Sequence, residues 1–277
     1  MKTLPIYIRM GDRLLSVSRP LVMSIINVTP DSFFAASRAQ DESALRKSFE
    51  RAMREGADII DIGACSTRPA VQTGVSGLVG EGEEWSRLHM ALSLAREMRL
   101  PLPLSVDTFR PSVAKRAIEE FGVEMINDIS GNPGNFLGGN EGLKAAYVLT
   151  YNRTNDAHKT TDLISDAIGF LSRKVDELRQ AGVSDVIIDP GFGFGQTVQE
   201  SLNLLDNLSS FMYLDCPILA GISRKRMVYE SVGLTPETCL EQTLRLERLA
   251  IEHGANILRV HDVAATKHMI DQLKMTK

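Results

Sequence analysis

The sequence predicts an α/β fold, a single (β/α)8 barrel with an N-terminal β-hairpin closing its bottom and one domain spanning residues 1–277. Three observations carry this reading. A helical pattern that ends at glycine and leads into a short apolar run closed by a polar residue recurs at least four times. Apolar runs with strand character number about eight, the barrel's count. A length of 277 residues suits such a barrel, which typically needs about 250. A doubly wound open sheet is the competing architecture, but it usually brings a second domain or a dinucleotide fingerprint, and neither is present.

The elements follow in order. Ile6–Met10 and Leu14–Val17 flank Gly11-Asp12, a two-residue turn signal between short apolar runs, and predict the hairpin. Met23–Asn27 is the first barrel strand. Glu42–Glu55 places Leu45, Phe49, Ala52 and Met53 on one helical face, stops at Gly56 and leads into Ala57–Asp61. Leu102–Asp107 precedes a helix opened by Pro111, with Val113, Ala117 and Phe121 at helical spacing; Gly122 ends it before Val123–Asp128. Ala146–Thr150 is the next strand, then a helix near Asp162–Gln180, Gly182 and Val186–Asp189. Ile218–Ser223 follows, and a helix ending at His253 and Gly254 leads into Ile257–Asp262. Alternation is weak in these runs, as in strands buried on both faces.

Composition narrows the function. With 43% hydrophobic and 24% charged residues the chain can bury a large core. Its 31 Lys and Arg against 35 Asp and Glu give a net charge of −4 without long runs of one sign, which gives no support to nucleic acid or an acidic membrane as partner. No stretch approaches the roughly 20 apolar residues of a membrane span, and Met1–Pro5 precedes charged Arg9 and Asp12 without a signal-peptide core, so a cytoplasmic location is expected. Cys65, Cys216 and Cys239 are odd in number and widely spaced, which predicts buried free thiols.

In a barrel the chemistry sits at the C-terminal ends of the strands. Asn27, Asp61, Asp107, Asn127, Asp128, Asp189, Ser223, Arg259 and His261 all fall there. Any one Asp or Asn at such a place can simply cap the next helix, but so many capping by coincidence is a weaker account. Asp107, Asp189 and Asn127 suit a flat heterocycle whose edge alternates donors and acceptors, as in a guanine or pterin, because buried carboxylates need donors. Ser66-Thr67-Arg68, Lys225, Arg259 and His261 suit a phosphate or pyrophosphate. Ser223–Arg226 is expected to open a helix whose N-terminus adds anion affinity. Gly191, Gly193 and Gly195 lack the spacing of a phosphate loop and predict a tight turn. The loops 28–40, 65–82 and 130–142 are long enough to act as lids.

The motifs Ile25–Phe33, Asp61-Ile62-Gly63, Ser66-Thr67-Arg68-Pro69, Ser105–Thr108, Ile126-Asn127-Asp128, Asp189-Pro190-Gly191, Ser223-Arg224-Lys225 and Arg259–Asp262 resemble the dihydropteroate synthase family, in order and over most of the chain. The resemblance implies the condensation of 6-hydroxymethyl-7,8-dihydropterin pyrophosphate with p-aminobenzoate in folate synthesis, on a (β/α)8 barrel. It implies that Asp107, Asn127, Asp189 and Lys225 hold the pterin and that Asp61 braces that side. Asn27, Arg259 and His261 would bind pyrophosphate with Mg2+, Asn27 supplying the metal's protein ligand. Phe33, Thr67, Arg68 and Pro69, with Ser66 beside them, would form the aminobenzoate side, and a homodimer is implied, with the helix near Pro236–Ile251 as an interface. The chain departs from the pattern at Ala35, where the first loop lacks its second acidic residue, at Ala64-Cys65, at Gln196 in place of Lys, at Leu149-Thr150-Tyr151, and at Arg226, where a Ser contacting the aminobenzoate carboxylate is usual. Rival functions are a methyltetrahydrofolate:corrinoid methyltransferase-like barrel, which has no use for a pyrophosphate site, a non-catalytic pterin-binding barrel, and a sugar-phosphate enzyme, which leaves Asp107, Asn127 and Asp189 without a reason.

Overall fold

Ten strands and the helices between them appear in the computed structural model, which describes residues 7–28, 38–65, 79–137, 145–154 and 162–275. The hairpin pairs β1 (Tyr7–Met10) with β2 (Arg13–Ser16), and the register Met10↔Arg13 leaves Gly11-Asp12 as its two-residue turn. Gly11 takes φ 57, the left-handed conformation that such a turn demands.

Eight parallel strands follow: β3 (Leu21–Asn27), β4 (Ile59–Gly63), β5 (Leu104–Asp107), β6 (Met125–Asp128), β7 (Ala146–Thr150), β8 (Val186–Asp189), β9 (Leu219–Ala220) and β10 (Ile257–Val260). They pair in the order β8-β7-β6-β5-β4-β3-β10-β9, and a bridge from Ile188 to Ile218 closes the ring into a (β/α)8 barrel. β9 is the shortest: the run expected to reach Ser223 stops at Ala220, before Gly221 and the left-handed Arg224.

Helices cover the outside at Arg38–Arg54, Glu81–Glu97, Pro111–Phe121, Leu163–Gln180, Val198–Asp206, Leu240–Glu252 and Val263–Met275. Local chemistry sets their ends. Pro111 opens its helix at the first turn, the Asp162 side chain accepts from the Ser165 N–H, and Thr197 with Glu200 forms a capping box. The four glycines that punctuate the repeat all adopt left-handed backbone, with φ of 85, 69, 88 and 103 at Gly56, Gly122, Gly182 and Gly254.

Two apolar clusters hold the barrel. The larger one fills the space between strands and helices. The smaller lies inside the barrel, where Met23, Ile59, Met125, Val148, Ile187, Leu219 and Ile257 meet Ile8 and Met10 of the hairpin. The hairpin therefore closes the floor, and Arg9 ties it to the β8 end by donating its backbone N–H to Asp185 at 3.0 Å. Among the described residues no helix is long and apolar enough to cross a membrane. Cys216 and Cys239 are buried free thiols as expected, whereas Cys65 is only half-buried.

Candidate functional site

Strand register brings the predicted residues into layers. Asn27, Gly63, Asp107 and Asn127 face one another across β3, β4, β5 and β6 at the mouth. Asp61 pairs with Ser105, two residues deeper along its strand, and makes the floor of the site. Gly63 is where the layer needs space: a Cβ there would meet the Asn27 Oδ1 at 3.4 Å and the Asp107 Cβ at 3.5 Å.

Arg259, from β10, organises the centre. Its Nε donates to the Asp61 Oδ2 and its Nη2 to the Asp107 Oδ2, both at 2.6 Å. The Asn127 Nδ2 donates to the same Asp61 oxygen at 3.2 Å. The Asp61 Oδ1 and Asn127 Oδ1 remain buried acceptors without a hydrogen-bond donor. Burial pushes the Asp107 carboxyl up to about 7, with Arg259 pulling against it. Burial also disfavours the Arg259 charge, but Asp61 and Asp107 outweigh it and hold the guanidinium more firmly protonated than usual.

Lys225 and Asp189 form the second centre. The Lys225 Nζ donates to the Phe192 carbonyl at 2.6 Å and stands 4.9 Å from the centroid of the Phe194 ring. Burial draws the ammonium pKa down to about 8, opposed by Asp189. Asp189 accepts the Gly191 N–H at 2.8 Å and is raised by burial, with Lys225 opposing. The expected tight turn is present: Gly191, Gly193 and Gly195 take φ of 75, 82 and 72.

The structure thus corrects the separation of a heterocycle half from an anion half. Arg259 is ion-paired to the carboxylates of the first half and Lys225 packs beside Asp189, because buried carboxylates draw the nearest cations to themselves. Two further residues are engaged by local partners. Asp128 accepts from the Ser130 N–H at 2.7 Å and from the Ser130 and Tyr147 hydroxyls, the capping role of a strand-end Asp. Arg226, 58% exposed, pairs with Glu230 at 2.6 Å on the one-turn helix Arg226–Tyr229 and the turn that follows it. His261 Nδ1 lies 3.2 Å from the Ser223 Oγ, which also accepts the His261 N–H at 3.3 Å.

Phe33, Ser66, Thr67, Arg68, Pro69 and Ala35 lie outside the described residues. The described positions flanking residues 66–78 are anchored: Arg87 donates to the Ala64 carbonyl at 3.1 Å and Arg110 to the Val79 carbonyl at 2.6 Å. The sequence reading missed Phe192 and Phe194, whose carbonyl and ring hold Lys225; the three-glycine turn around them was their signal.

Among the described residues no group of three or more His, Cys, Asp or Glu stands together as a metal cage. The exposed Asn27 amide fits a different arrangement, with one protein oxygen and the rest of the shell from phosphate and water, which is the habit of Mg2+.

Comparisons with known proteins agree with this geometry. A family model described as pterin binding enzyme matches residues 23–261. A dihydropteroate synthase of Clostridium beijerinckii is 35% identical over 254 residues, covering 88% of this chain and 90% of the relative. The Haemophilus influenzae dihydropteroate synthase is 33% identical over 273 residues, covering 94% and 95%. Among solved structures, Xanthomonas albilineans dihydropteroate synthase with 4-aminobenzoic acid is similar with a TM-score of 0.87 at 36% identity, covering 99% of this chain and 98% of that one. The Thermus thermophilus enzyme in complex with 4-aminobenzoate has a TM-score of 0.81 at 31% identity, covering 98% and 100%.

Proposed function

Because the chain belongs to the pterin-binding enzyme family and, within it, to the dihydropteroate synthases, we propose a specific division of labour among its residues for the reaction of that family. The activity is the transfer of the pterin methylene from 6-hydroxymethyl-7,8-dihydropterin pyrophosphate to the amine of p-aminobenzoate, giving 7,8-dihydropteroate and pyrophosphate in folate synthesis.

The observation that carries the residue assignment is the pair of buried acceptors without donors, Asp61 Oδ1 and Asn127 Oδ1, beside Asp107 and Asp189. A 2-amino-4-oxo pyrimidine edge supplies N–H donors to such oxygens, and each unmet acceptor otherwise costs about 1–3 kcal/mol. Asp61, Asp107, Asn127 and Asp189 hold the ring, and the Lys225 ammonium donates to an acceptor on it. Arg259 bridges the ring carboxylates and the leaving group, since its Nη1 is not engaged by Asp61 or Asp107. Arg259 and His261 bind the pyrophosphate.

Mg2+, held by the Asn27 oxygen and the pyrophosphate, would spread the charge of the leaving group. The C–O bond at the exocyclic methylene breaks with its electron pair departing on pyrophosphate, and the electron-rich dihydropterin carries the positive charge. The aniline lone pair then forms the C–N bond and the nitrogen releases a proton. Aniline is a free base at neutral pH, so no strong general base is needed. Phe33, Ser66, Thr67, Arg68 and Pro69 form the aminobenzoate side, which excludes water from the cation. Arg226 is the residue present where family members contact the aminobenzoate carboxylate. The chain acts as one pterin-binding domain over residues 1–277, in the cytoplasm and as a homodimer; exposed Leu234 and Leu240, beside and within the Pro236–Ile251 segment, support the interface.

Supplying the pterin pyrophosphate, Mg2+ and p-aminobenzoate should release pyrophosphate and dihydropteroate in equal amounts. Folded protein that forms neither would overturn the reading. Rapid-quench kinetics test the order of steps, which requires pyrophosphate release from the pterin substrate to proceed without aminobenzoate.

A further inference from the structure

We propose that Gln196 is a positioning residue for Lys225, acting through the turn 191–195; the proposal rests on the reading that Lys225 holds the pterin. Lys225 takes its place from this turn, through the Phe192 carbonyl at 2.6 Å and the Phe194 ring at 4.9 Å. Gln196 grips the middle of the same turn: its Oε1 accepts the Gly193 N–H at 3.2 Å and the Ser201 hydroxyl at 3.0 Å. Ser201 belongs to the helix Val198–Asp206, whose capping box begins at Thr197, so the amide links the residue between the two phenylalanines to a rigid element.

The opposite side of the turn has no freedom to compensate. A Cβ at Gly191 would lie 1.8 Å from the Tyr151 carbonyl oxygen, and one at Gly195 would lie 2.7 Å from the Arg153 carbonyl carbon. The Arg153 N–H donates to the Phe194 carbonyl at 3.4 Å, and the Phe194 N–H to the Gly191 carbonyl at 3.0 Å. The ends of the turn are thus pressed on the backbone after β7, and Gln196 sets its centre. Gln196 is buried, and its Nε2 has no hydrogen-bond acceptor. An apolar side chain of similar length would avoid that penalty, so the position keeps an amide for what its oxygen does.

The charged groups facing Lys225 come from three strands, Asp189 on β8, Asp107 on β5 and Arg259 on β10. Displacing the turn changes the distance of the ammonium from each of them and lets water reach it, which returns the lysine toward its ordinary pKa.

The test is Gln196→Met, with Gln196→Glu as the variant that keeps an acceptor oxygen at the same reach. In protein labelled with 13C at lysine Cε, the Lys225 titration, near pH 8 in the parent, should move up by about one unit in Gln196→Met, a tenfold change in ionisation ratio. The KM for the pterin substrate should rise about tenfold in Gln196→Met with the KM for aminobenzoate unchanged. Gln196→Glu is read by the pterin KM instead, which should stay near that of the parent, because a carboxylate there would itself raise the Lys225 titration. A lower melting temperature with the Lys225 titration and the pterin KM both unmoved would assign Gln196 a merely structural role and overturn the proposal. If Gln196→Met fails to fold, Ser201→Ala, which removes one donor to the same oxygen, should give a smaller shift in the same direction, and no shift overturns the proposal. The titration is read on the ligand-free protein, so it is separate from the reading that Lys225 binds pterin, which fails instead if Lys225→Ala leaves the pterin KM unchanged.

Discussion

Arg259 neutralises two carboxylates at once, and one of them, Asp61, is fully buried. Removing one partner of such a group strands the others, at roughly 3–5 kcal/mol. Arg259→Met should therefore destabilise the protein strongly at pH 8, measured by urea unfolding. The sign of its pH dependence follows from Asp107. A carboxyl whose folded pKa is raised contributes stability below its ordinary value and loses it as pH climbs through the folded one, about 7 here. Without Arg259 that value rises further, so the deficit of the variant should grow from pH 5 to pH 8; a deficit that shrinks over this range would remove Arg259 as the counter-charge. For the reaction, Lys225→Ala and Arg259→Ala should each lower kcat/KM by roughly 10²-fold or more, about 2.7 kcal/mol of transition-state stabilisation. Near-normal steady-state rates in both would show that the anion site is elsewhere.

Elements differ in how openly the sequence announces them, and the reason is what each buries. The repeat of helix, glycine and strand is legible because each glycine must adopt left-handed backbone and each strand is a mostly apolar run buried along its length up to a polar end. The helix Glu81–Glu97 is obscured because its buried residues include Glu84 and Arg87, which bond to Thr108, Arg110 and the Ala64 carbonyl and break the apolar periodicity. β9 is over-read because Ile218–Ser223 is apolar enough for a strand while Gly221 and Arg224 turn it aside. The pair of helices Leu240–Glu252 and Val263–Met275 hides another polar contact. Glu247 is buried between them, with its Oε2 accepting from the Thr266 hydroxyl at 2.8 Å and its Oε1 unmet. Burial raises this carboxyl to about 8, so its favourable contribution is present at low pH and lost as pH rises through 8. Glu247→Gln should leave the melting temperature almost unchanged at pH 5 and raise stability at pH 9 by on the order of 1–2 kcal/mol. A variant less stable than the parent at pH 9 would mean that the ionised carboxylate has a partner.

On the scale of the whole molecule the barrel converts distance in sequence into contact. Asp61 and Arg259 stand 198 positions apart and share a hydrogen bond because β10 closes on β3, next to β4. The identity of the strand-end residues was legible in the chain, but their pairing was not, since only the barrel's closure decides which carboxylate each cation meets. The same closure separates function from stability along the barrel axis, with the polar layer at the strands' C-terminal ends and the apolar floor sealed by the hairpin at the other. Ile8 and Met10 are both buried there, against Met23, Ile59, Met125, Val148, Ile187, Leu219 and Ile257. Truncating a buried Ile or Met to Ala costs roughly 2–5 kcal/mol each, as lost burial plus the cavity left behind. Ile8→Ala with Met10→Ala should thus lower the unfolding free energy by about 4–10 kcal/mol, less where the two cavities merge and collapse. Asp61, Asp107, Asn127, Lys225 and Arg259 belong to the layers toward the strands' C-terminal ends, so the fraction that remains folded at low temperature should turn over within about twofold of the parent. Calorimetry and initial rates on the same samples decide it: a stable double variant would dismiss the hairpin as floor, and a folded but inactive one would show that floor and mouth are mechanically coupled.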